Sequence, residues 1–439
     1  MKVKISTLIK LTFYFFLMIE CGTFSTIGIN IPFSDRIALI LTIFMGILGR
    51  CSIQIYSRIS KYCLFLNVYL LFYLLFIGLE AIYSLTVYSS NGINLISMII
   101  NYRYLLFPLW GYPILYVIDT DGDWNSFLKI ILAIGVLDNF VRLVSYIAYS
   151  AGGVTLFPSV VETFTNRMRN GRFRLGAGTL HTLAFNIALY YGTVQPRKKQ
   201  RWIYILISLF FIGFQFFISM GRTQIMCYMI TIALYIYFVN LRNSTYTKYY
   251  RFIFLIAVAA AFMYALCADY LSDFLLGLFS TDRNISSEAG SAIARMYAIG
   301  YYWSIVKDHL LLGLGLLYND GNELFMILRG NGGGYGEVAY TEDLGFLGQF
   351  FNYGFIGTLI LGALLIRWMT TTIKAYKNGK RKQAALLIPL FVHGITQTFT
   401  SMSLFQANKF VYIPIYLVIF EYALFKSERQ IKDGEKIHY

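Results

Sequence analysis

The sequence DLGFLGQFFNYGFIGTLILGALLIR, from Asp343 to Arg367, decides how this chain folds. It is apolar for longer than the roughly 20 residues that a helix needs to cross a bilayer. A polar interruption precedes it, from residue 269 to residue 342, and connections of that length between helices usually have a function or are disordered. Because aromatic residues and glycines are spread through the interruption, we expect it to be structured.

Apolar runs of similar length recur throughout the 439 residues. The chain is 57% hydrophobic and 13% charged, with a mean hydropathy of +0.60, whereas soluble domains carry about 25% charged residues. We therefore predict an all-α, polytopic integral membrane protein with about 12 transmembrane helices, forming a single membrane domain over residues 1–439. No internal repeat is evident in the sequence.

The basic loops set the orientation of the predicted helices. Clusters of Lys and Arg at 197–201, 242–251 and 374–382 fall on the same side of the membrane as both termini, which the positive-inside rule makes cytoplasmic. The loops at 151–175 and 269–342 then lie outside. Most of the net charge of +15 is explained by these cytoplasmic loops, so no nucleic-acid partner is expected.

Four arginines in the outer loop 151–175 oppose this orientation signal, so a local reason for them is needed. Guanidinium groups bind phosphate oxygens in a bidentate geometry, and a cluster of them suits a pyrophosphate. The alternatives are a solvated loop or contact with anionic lipid headgroups. The four are Arg167, Arg169, Arg172 and Arg174.

Other charged residues fall at or within the predicted spans. Arg222 ends a very short turn between two apolar helices, where a charge is costly and often functional, although the side chain could instead reach to the interface. Arg103 lies inside the fourth predicted span, at about 95–118. Asp138 and Arg142 are four residues apart on one helical face and form either an internal ion pair or part of a substrate site.

The histidines His181, His309 and His393 are far apart in the chain and lack metal-ligand spacing. His181 stands at the outer end of the sixth predicted span, where it could carry a proton; the alternative is a buried histidine with a structural role. The sequence Asp119-Thr120-Asp121 is typical of a connecting turn. We expect no metal and no other cofactor.

Three stretches resemble the bacterial O-antigen polymerases and ligases. FISMGRT at 217–223 resembles the Ser-Arg-Gly-type turn of that family. Ala-Arg-Met at 294–296, followed by Trp303 and by KDHLLLGLG at 307–315, resembles a second motif of the family. The helix that begins at Asp343 resembles the helix that follows the family's large periplasmic loop.

This chain differs from the family's motifs at two places, and one of them indicates which branch of the family it resembles more. Leu310 replaces the proline of the family's second motif. The ligases open their tenth helix with a His-Asn pair, and this chain has Asp343 and Leu344 there, so the resemblance favours the polymerase, or Wzy-type, branch. Arg167 and Gly178, with ten residues between them, also match an arginine–glycine pattern of some polymerases.

The resemblance implies a GT-C-like membrane fold with a large extracytoplasmic loop between helices 9 and 10. The implied enzyme is a glycosyltransferase that polymerises oligosaccharide repeat units, carried on undecaprenyl pyrophosphate, into O-antigen, capsular or exopolysaccharide chains. It would work on the outer face of the inner or cytoplasmic membrane. Besides these lipid-linked sugars, the expected partners are membrane lipids, a chain-length regulator and a flippase.

The same resemblance suggests which cations face the leaving group. Arg222 and Arg295 would hold the departing pyrophosphate, because positive charge at a developing anion lowers the barrier. Arg172 and Arg174 would assist them. Neither a nucleotide-sugar nor a metal is required, since the lipid pyrophosphate is already an activated leaving group.

A carboxylate near the acceptor hydroxyl completes the expected site. Asp343 would take the hydroxyl proton, with Glu342 and Glu337 behind it. The alternative for Asp343 is a helix-capping aspartate. Further candidate substrate-binding residues are Arg103, Arg167, Arg169, His181 and His309.

Two other functions fit the predicted topology. An O-antigen ligase would move the finished glycan to lipid A or to a protein. A flippase or transporter would carry the lipid-linked sugars across the membrane, but transporters commonly contain internal repeats and this sequence shows none.

Overall fold

The computed structural model describes residues 5–29, 35–56, 64–88, 94–120, 124–165, 168–169, 172–219, 221–240, 298–316, 341–401, 404 and 409–435. Over these residues the chain is helical, apart from one hairpin of two-residue strands. Strand β1 (Met168–Arg169) pairs antiparallel with β2 (Arg172–Phe173), which sets Arg169 opposite Arg172. The prediction of an all-α protein is confirmed for the described part of the chain.

Most of the α-helices are long, and a few short ones connect them. In chain order they are α1 (Ile5–Glu20), α2 (Thr23–Thr26), α3 (Asp35–Tyr56), α4 (Leu64–Val87), α5 (Leu95–Asn101), α6 (Gly111–Thr120), α7 (Asn125–Gly152), α8 (Pro158–Thr165), α9 (His181–Val194), α10 (Lys198–Phe214), α11 (Arg222–Asn240), α12 (298–306), α13 (Phe346–Lys377), α14 (Arg381–Thr400) and α15 (Tyr412–Glu435). Helices of 3-10 type span Arg103–Trp110 and Thr341–Leu344, and a π-helix spans Gln215–Ser219.

Four of the described helical segments are long and apolar enough to cross a membrane: Asp35–Ile53, Leu64–Val87, Lys198–Ser219 and Phe346–Lys377. This agrees with the predicted helical membrane protein. The number of about twelve spans stays a prediction. So does the long outer loop, because residues 241–297 and 317–340 lie outside the described part of the chain.

The fourth predicted span, 95–118, is broken into three pieces. Helix α5 ends at Asn101, a 3-10 helix follows, and α6 begins at Gly111. Pro108 lies in the middle piece and has no backbone N–H to donate, so a continuous α-helix is disfavoured there. Arg103 opens that piece and pairs with Glu20 of α1.

Helix α13 continues to Lys377, whereas the sequence predicted its end at Arg367. The charge of Arg367 is neutralised within the bundle. Its Nε lies 2.6 Å from Oε1 of Glu421 in α15, and its guanidinium lies 4.6 Å from the ring centre of Phe65 in α4. At about 1.5 Å per residue, the 32 residues of α13 are longer than the roughly 30 Å hydrocarbon core, so a helix that continues past Arg367 is compatible with a span that ends there.

Helix α9 lies at the centre of the bundle and packs against α7, α10 and α14. Most of its residues are buried, as expected of a helix surrounded by others, and Leu183, Phe185 and Ile187 are fully buried. Helix α4, in contrast, leaves Leu71 and Leu75 exposed along one side. Such an apolar outer surface suits contact with lipid.

A turn formed by residues 309–316, which we call the glycine turn, is inserted into α13. Gly354 has φ 59° and ψ −161° and so interrupts the helix. The freed backbone groups bond to the turn: Leu314 N donates to Phe351 O at 2.9 Å, and Phe355 N donates to Leu310 O at 2.8 Å. The break in α13 is therefore compensated by hydrogen bonds from another segment.

The end of α4 holds the other side of the glycine turn. The Tyr83 hydroxyl donates to the carbonyl of Gly313 at 3.1 Å, and the Leu316 N–H donates to Ser84 Oγ at 2.7 Å. The glycine turn is thus fastened to two helices that are far apart in sequence. A small apolar cluster that includes Tyr302 of α12, Leu314 and Leu344 continues this packing towards the start of α13.

Candidate functional site

Segments from five parts of the sequence meet at one end of the helix bundle, which we call the mouth. Helices α9, α11, α13 and α15 begin there, and α14 ends there. One contact between them is the hydrogen bond of Tyr412, the first residue of α15, to the carbonyl of Thr179 just before α9.

The arginine-rich segment reaches the mouth through its last residue. Arg174 Nε donates to the carbonyl of Ser219 at 2.8 Å, and Leu175 N donates to the carbonyl of Ile218 at 3.3 Å. Ser219 ends the π-helix, a type of irregularity that is common at functional sites. Arg222 opens α11 three residues later, so the two arginine segments predicted from the sequence lie side by side.

The turn before Arg222 is braced from within. Gln215 Nε2 donates to Ser219 Oγ at 3.2 Å and to the carbonyl of Gly221 at 3.5 Å. Gln215 is itself buried, which restrains the turn. Arg222 therefore starts α11 directly after a turn that the hydrogen bonds of Gln215 hold in place.

The segment that carries Asp343 approaches the mouth from the opposite side. It forms the 3-10 helix Thr341–Leu344, and Gly345 follows with φ 61°. A side chain at Gly345 would collide with the carbonyl of Phe399 near the end of α14, so the two backbones are in close contact. The ring of Phe346 then stacks on the ring of Phe399 at 5.6 Å.

The end of α14 also contacts the starts of α9 and α11. Gln397 Nε2 donates to Thr182 Oγ1 of α9 at 3.3 Å and to Gln224 Oε1 of α11. Because Gln224 lies one turn below Gly221, α14 links the Arg222 segment to the Asp343 segment. The arginine loop, the Arg222 turn and the Asp343 segment thus converge around α14.

Asp138 and Arg142 of α7 form the internal ion pair that was one of the two predicted alternatives. Arg142 Nε lies 3.2 Å from Asp138 Oδ1, and the exposed fractions of the two side chains are 17% and 4%. Arg142 also donates to the carbonyl of Gly176 at 3.4 Å and to Thr26 Oγ1 at 3.2 Å. The pair fastens α7 to the segment that leads from Arg174 into α9.

We expect Arg142→Gln to destabilise the fold by about 3–5 kcal/mol, because it leaves the buried Asp138 carboxylate without its counter-ion. Thermal unfolding of the purified protein in detergent measures the loss. The double variant Asp138→Asn/Arg142→Gln removes both charges and is expected to recover most of the melting temperature. If Arg142→Gln were as stable as the parent, the ion pair would contribute nothing to the stability of the fold.

His181 is buried, which matches the structural alternative. Its Nδ1 donates to Asn139 Oδ1 at 2.7 Å, and the N–H of Gly178 donates to the same oxygen at 3.2 Å. Its ring also packs edge-on against Phe211 with centroids 5.0 Å apart. Asn139 therefore holds the start of α9 and the loop before it in one arrangement.

Arg103 and His309 lie apart from the arginine segments. Arg103 bonds both carboxylate oxygens of Glu20, at 2.7 and 2.8 Å, and lies 3.2 Å from Asp35. These carboxylates neutralise its charge, so it fastens α1 to α3. His309 is exposed at the start of the glycine turn, 6.1 Å from the ring of Tyr83.

The remaining predicted site residues are placed only in part. Arg169, Arg172, Arg222, Glu342 and Asp343 are placed by their backbone. Arg167, Arg295 and Glu337 lie outside the described residues. Their suggested roles therefore stay predictions.

Sequence reasoning missed Glu80 of α4. The residue is fully buried, and neither carboxylate oxygen has a hydrogen-bond partner among the described residues. It lies one turn from Ser84, which bonds the glycine turn. A single carboxylate in an otherwise apolar span is a signal of function that the sequence contained.

Lys409 was also missed, because it sits at the edge of an apolar run and resembles an interfacial anchor. It lies three residues before α15, at the mouth. Burial lowers the pKa of its ammonium to about 8. The Lys409 side chain is nonetheless partly exposed at the surface of the mouth.

The comparisons with known proteins leave the site to be interpreted from its geometry. No protein-family model matches the chain, and no curated protein matches it either. Within the described residues, no group of three or more His, Cys, Asp or Glu side chains could hold a metal ion.

Proposed function

We propose that the protein polymerises lipid-linked oligosaccharide repeat units into a polysaccharide. The donor is the growing glycan on undecaprenyl pyrophosphate, and the acceptor is a hydroxyl of one repeat unit on the same lipid. The product is an O-antigen, capsular or exopolysaccharide chain. In this proposal about twelve helices place the mouth on the outer face of the inner or cytoplasmic membrane, with both termini in the cytoplasm.

The observation that supports this proposal is the convergence of three separate segments at the mouth. Arg174 bonds the backbone three residues before Arg222, and the 3-10 helix that carries Asp343 lies against the end of α14. Guanidinium groups and a carboxylate are the two kinds of group that such a transfer needs. Nothing in the sequence spacing required these segments to be neighbours.

The proposed reaction is a displacement at the anomeric carbon of the donor. The acceptor oxygen forms the new glycosidic bond, and the bond from the anomeric carbon to the pyrophosphate oxygen breaks. Asp343 takes the hydroxyl proton, and the pyrophosphate leaves with the bonding electrons. Arg222 and Arg174, with Arg295, stabilise the charge that develops on the pyrophosphate.

Deleting the gene in its native host tests the proposal against its two rivals. We expect single repeat units to accumulate on their lipid carrier at the outer face, because units are still delivered but not joined. Mass spectrometry of extracted lipids measures the size of the lipid-linked glycan. Treating intact cells with a glycosidase that cannot enter them shows on which side of the membrane the glycan lies. Units trapped inside would indicate a transporter, and full-length polymer left on its lipid carrier would indicate a ligase.

A further inference from the structure

Glu80 is an acidic residue within α4, one of the helices that are long and apolar enough to cross a membrane. The buried residues of α4 recur every three or four positions, and Glu80 is one of them, between Phe76 and Ser84. Its side chain is completely shielded. Among the residues that the structure describes, neither carboxylate oxygen has a hydrogen-bond partner and no cation forms an ion pair with it.

Contacts one helical turn before and after Glu80 show what it faces. On one side, the ring of Phe76 lies edge-on to the ring of Tyr353 in α13, with centroids 6.1 Å apart. On the other side, Ser84 Oγ accepts a hydrogen bond from the N–H of Leu316 at 2.7 Å. Glu80 therefore lies where α4 packs against both α13 and the glycine turn.

The first part of α13 presents its negative end to this place. The helix is interrupted at Gly354, so the carbonyl groups of the preceding turn carry the partial negative charge of a helix C-terminus. One of them, the carbonyl of Asn352, accepts a hydrogen bond from the N–H of Gly315 in the glycine turn at 3.0 Å. An ionised Glu80 would thus meet partial negative charge in place of a counter-ion.

The other titratable groups that face Glu80 are phenols, which are neutral near pH 7. Tyr83 and Tyr88 of α4 and Tyr353 of α13 lie within its electrostatic reach. His309 of the glycine turn is exposed beside Tyr83.

The arginines on the helices packed against α4 are already paired. Arg103, in the 3-10 helix, is bonded to Glu20. Arg367 of α13 is bonded to Glu421 of α15 and lies over the ring of Phe65, which is about 22 Å from Glu80 along α4. Neither arginine therefore neutralises Glu80.

A buried carboxylate without a counter-ion is strongly unfavourable, whereas the neutral acid is tolerated. We propose that Glu80 is a proton-binding site, which the folded protein holds as a neutral carboxylic acid, and that loss of this proton loosens the contact between α4 and the glycine turn. A proton needs no cavity, so a closely packed interior can hold it. This inference goes beyond the proposed function and does not depend on it.

The proton on Glu80 acts on the mouth through the glycine turn. Leu314 of the turn packs with Tyr88 and Leu344 in one apolar cluster, and the Tyr88 hydroxyl donates to the carbonyl of Leu314 at 3.0 Å. Leu344 ends the 3-10 helix that carries Asp343. Deprotonation that displaces the glycine turn therefore also displaces this 3-10 helix.

Infrared spectroscopy of the purified full-length protein in a neutral detergent detects the proton directly, because a protonated carboxyl group and a carboxylate absorb at different frequencies. At neutral pH we expect the parent to show a protonated-carboxyl band that Glu80→Gln lacks. Glu80→Met also removes the acid and replaces Glu80→Gln if the glutamine variant does not fold. A parent spectrum identical in this region to that of the folded variant would overturn the proposal.

The pH dependence of thermal unfolding gives a second measurement. An unfolded glutamate has a pKa of about 4.3, so unfolding above that pH releases the proton. The stability that the bound proton supplies is therefore lost as the pH rises, by up to about tenfold in the folding equilibrium constant per pH unit. We expect the melting temperature of Glu80→Gln, relative to the parent, to rise steadily from about pH 5 to about pH 9.

Glu162→Gln is the matched control for this series. Glu162 is exposed in α8, so its melting temperature relative to the parent should stay constant over the same range. If Glu80→Gln were less stable than the parent by the same amount at every pH, Glu80 would be an ionised partner of a cation, and the proposal would be wrong.

Hydrogen exchange measured by mass spectrometry tests the effect on the glycine turn. After correction for the intrinsic effect of pH, exchange of residues 309–316 should accelerate in the parent as the protonated-carboxyl band disappears, and it should not accelerate in Glu80→Gln. Peptides from α9 provide an internal reference. Equal exchange in both proteins would refute the link between the proton and the turn. None of these measurements involves glycan transfer, so they test Glu80 whether or not the protein is a polymerase.

Discussion

Replacing Arg222 by alanine is expected to abolish long polysaccharide chains in a complemented deletion strain. The residue opens α11 beside the segment that ends at Arg174, where we expect the leaving pyrophosphate. Removing one preorganised donor from such a site costs on the order of a hundredfold or more in rate. The ladder of chain lengths on a polyacrylamide gel should collapse to single units.

Two control variants and one variant of the proposed base make this result specific. Arg222→Lys keeps the charge but not the bidentate geometry and should restore only short chains. Arg197→Ala removes an exposed arginine from the opposite end of the bundle and should leave the ladder intact. Asp343→Asn should give the same collapse as Arg222→Ala if Asp343 is the base. Normal ladders from both Arg222→Ala and Asp343→Asn would refute the assignment of the site.

Replacing Gly354 by valine is expected to prevent folding. Gly354 has φ 59°, a conformation that costs a β-branched residue of the order of 1–3 kcal/mol. A side chain there would also collide with the backbone of Leu311 and Leu312 in the glycine turn, which has no room to move because α4 holds its other side. The amount of monodisperse protein on gel filtration after mild detergent extraction measures the effect.

Gly362 provides a matched control on the same helix. It has no atom within 4 Å of the position of an added Cβ, and its backbone is helical. Gly362→Val adds the same side chain and should yield nearly as much folded protein as the parent. If Gly354→Val gave the same yield after detergent extraction and the same melting temperature as Gly362→Val, the glycine turn would not constrain the fold.

Part of this architecture was predictable from local sequence. Continuous apolar runs predict membrane helices because the hydrocarbon core leaves backbone groups no other partner. The Asp138 and Arg142 pair was predictable as an alternative, because residues four apart face each other on one helix. The position of Arg174 next to the turn before Arg222 was not predictable, since 45 residues separate Arg174 from Ser219.

Other features depend on partners that are remote in the sequence. Arg367 closes the stretch that was predicted to span the membrane, and only the structure shows that Glu421 of α15 pairs with it. Gly313 and Gly354 belong to two separate stretches that resemble the family, and their structural role is visible only where the glycine turn and the broken helix exchange hydrogen bonds.

The sequence by itself determined the class of the protein. Long apolar runs, basic loops and the glycine-punctuated stretch from Asp343 to Arg367 are local properties, and each follows from the residues that carry it. Only the tertiary structure decided which polar segments meet. Contacts between Arg174 and Ser219, or between the glycine turn and α13, depend on how whole helices pack, and packing is a property of the complete bundle.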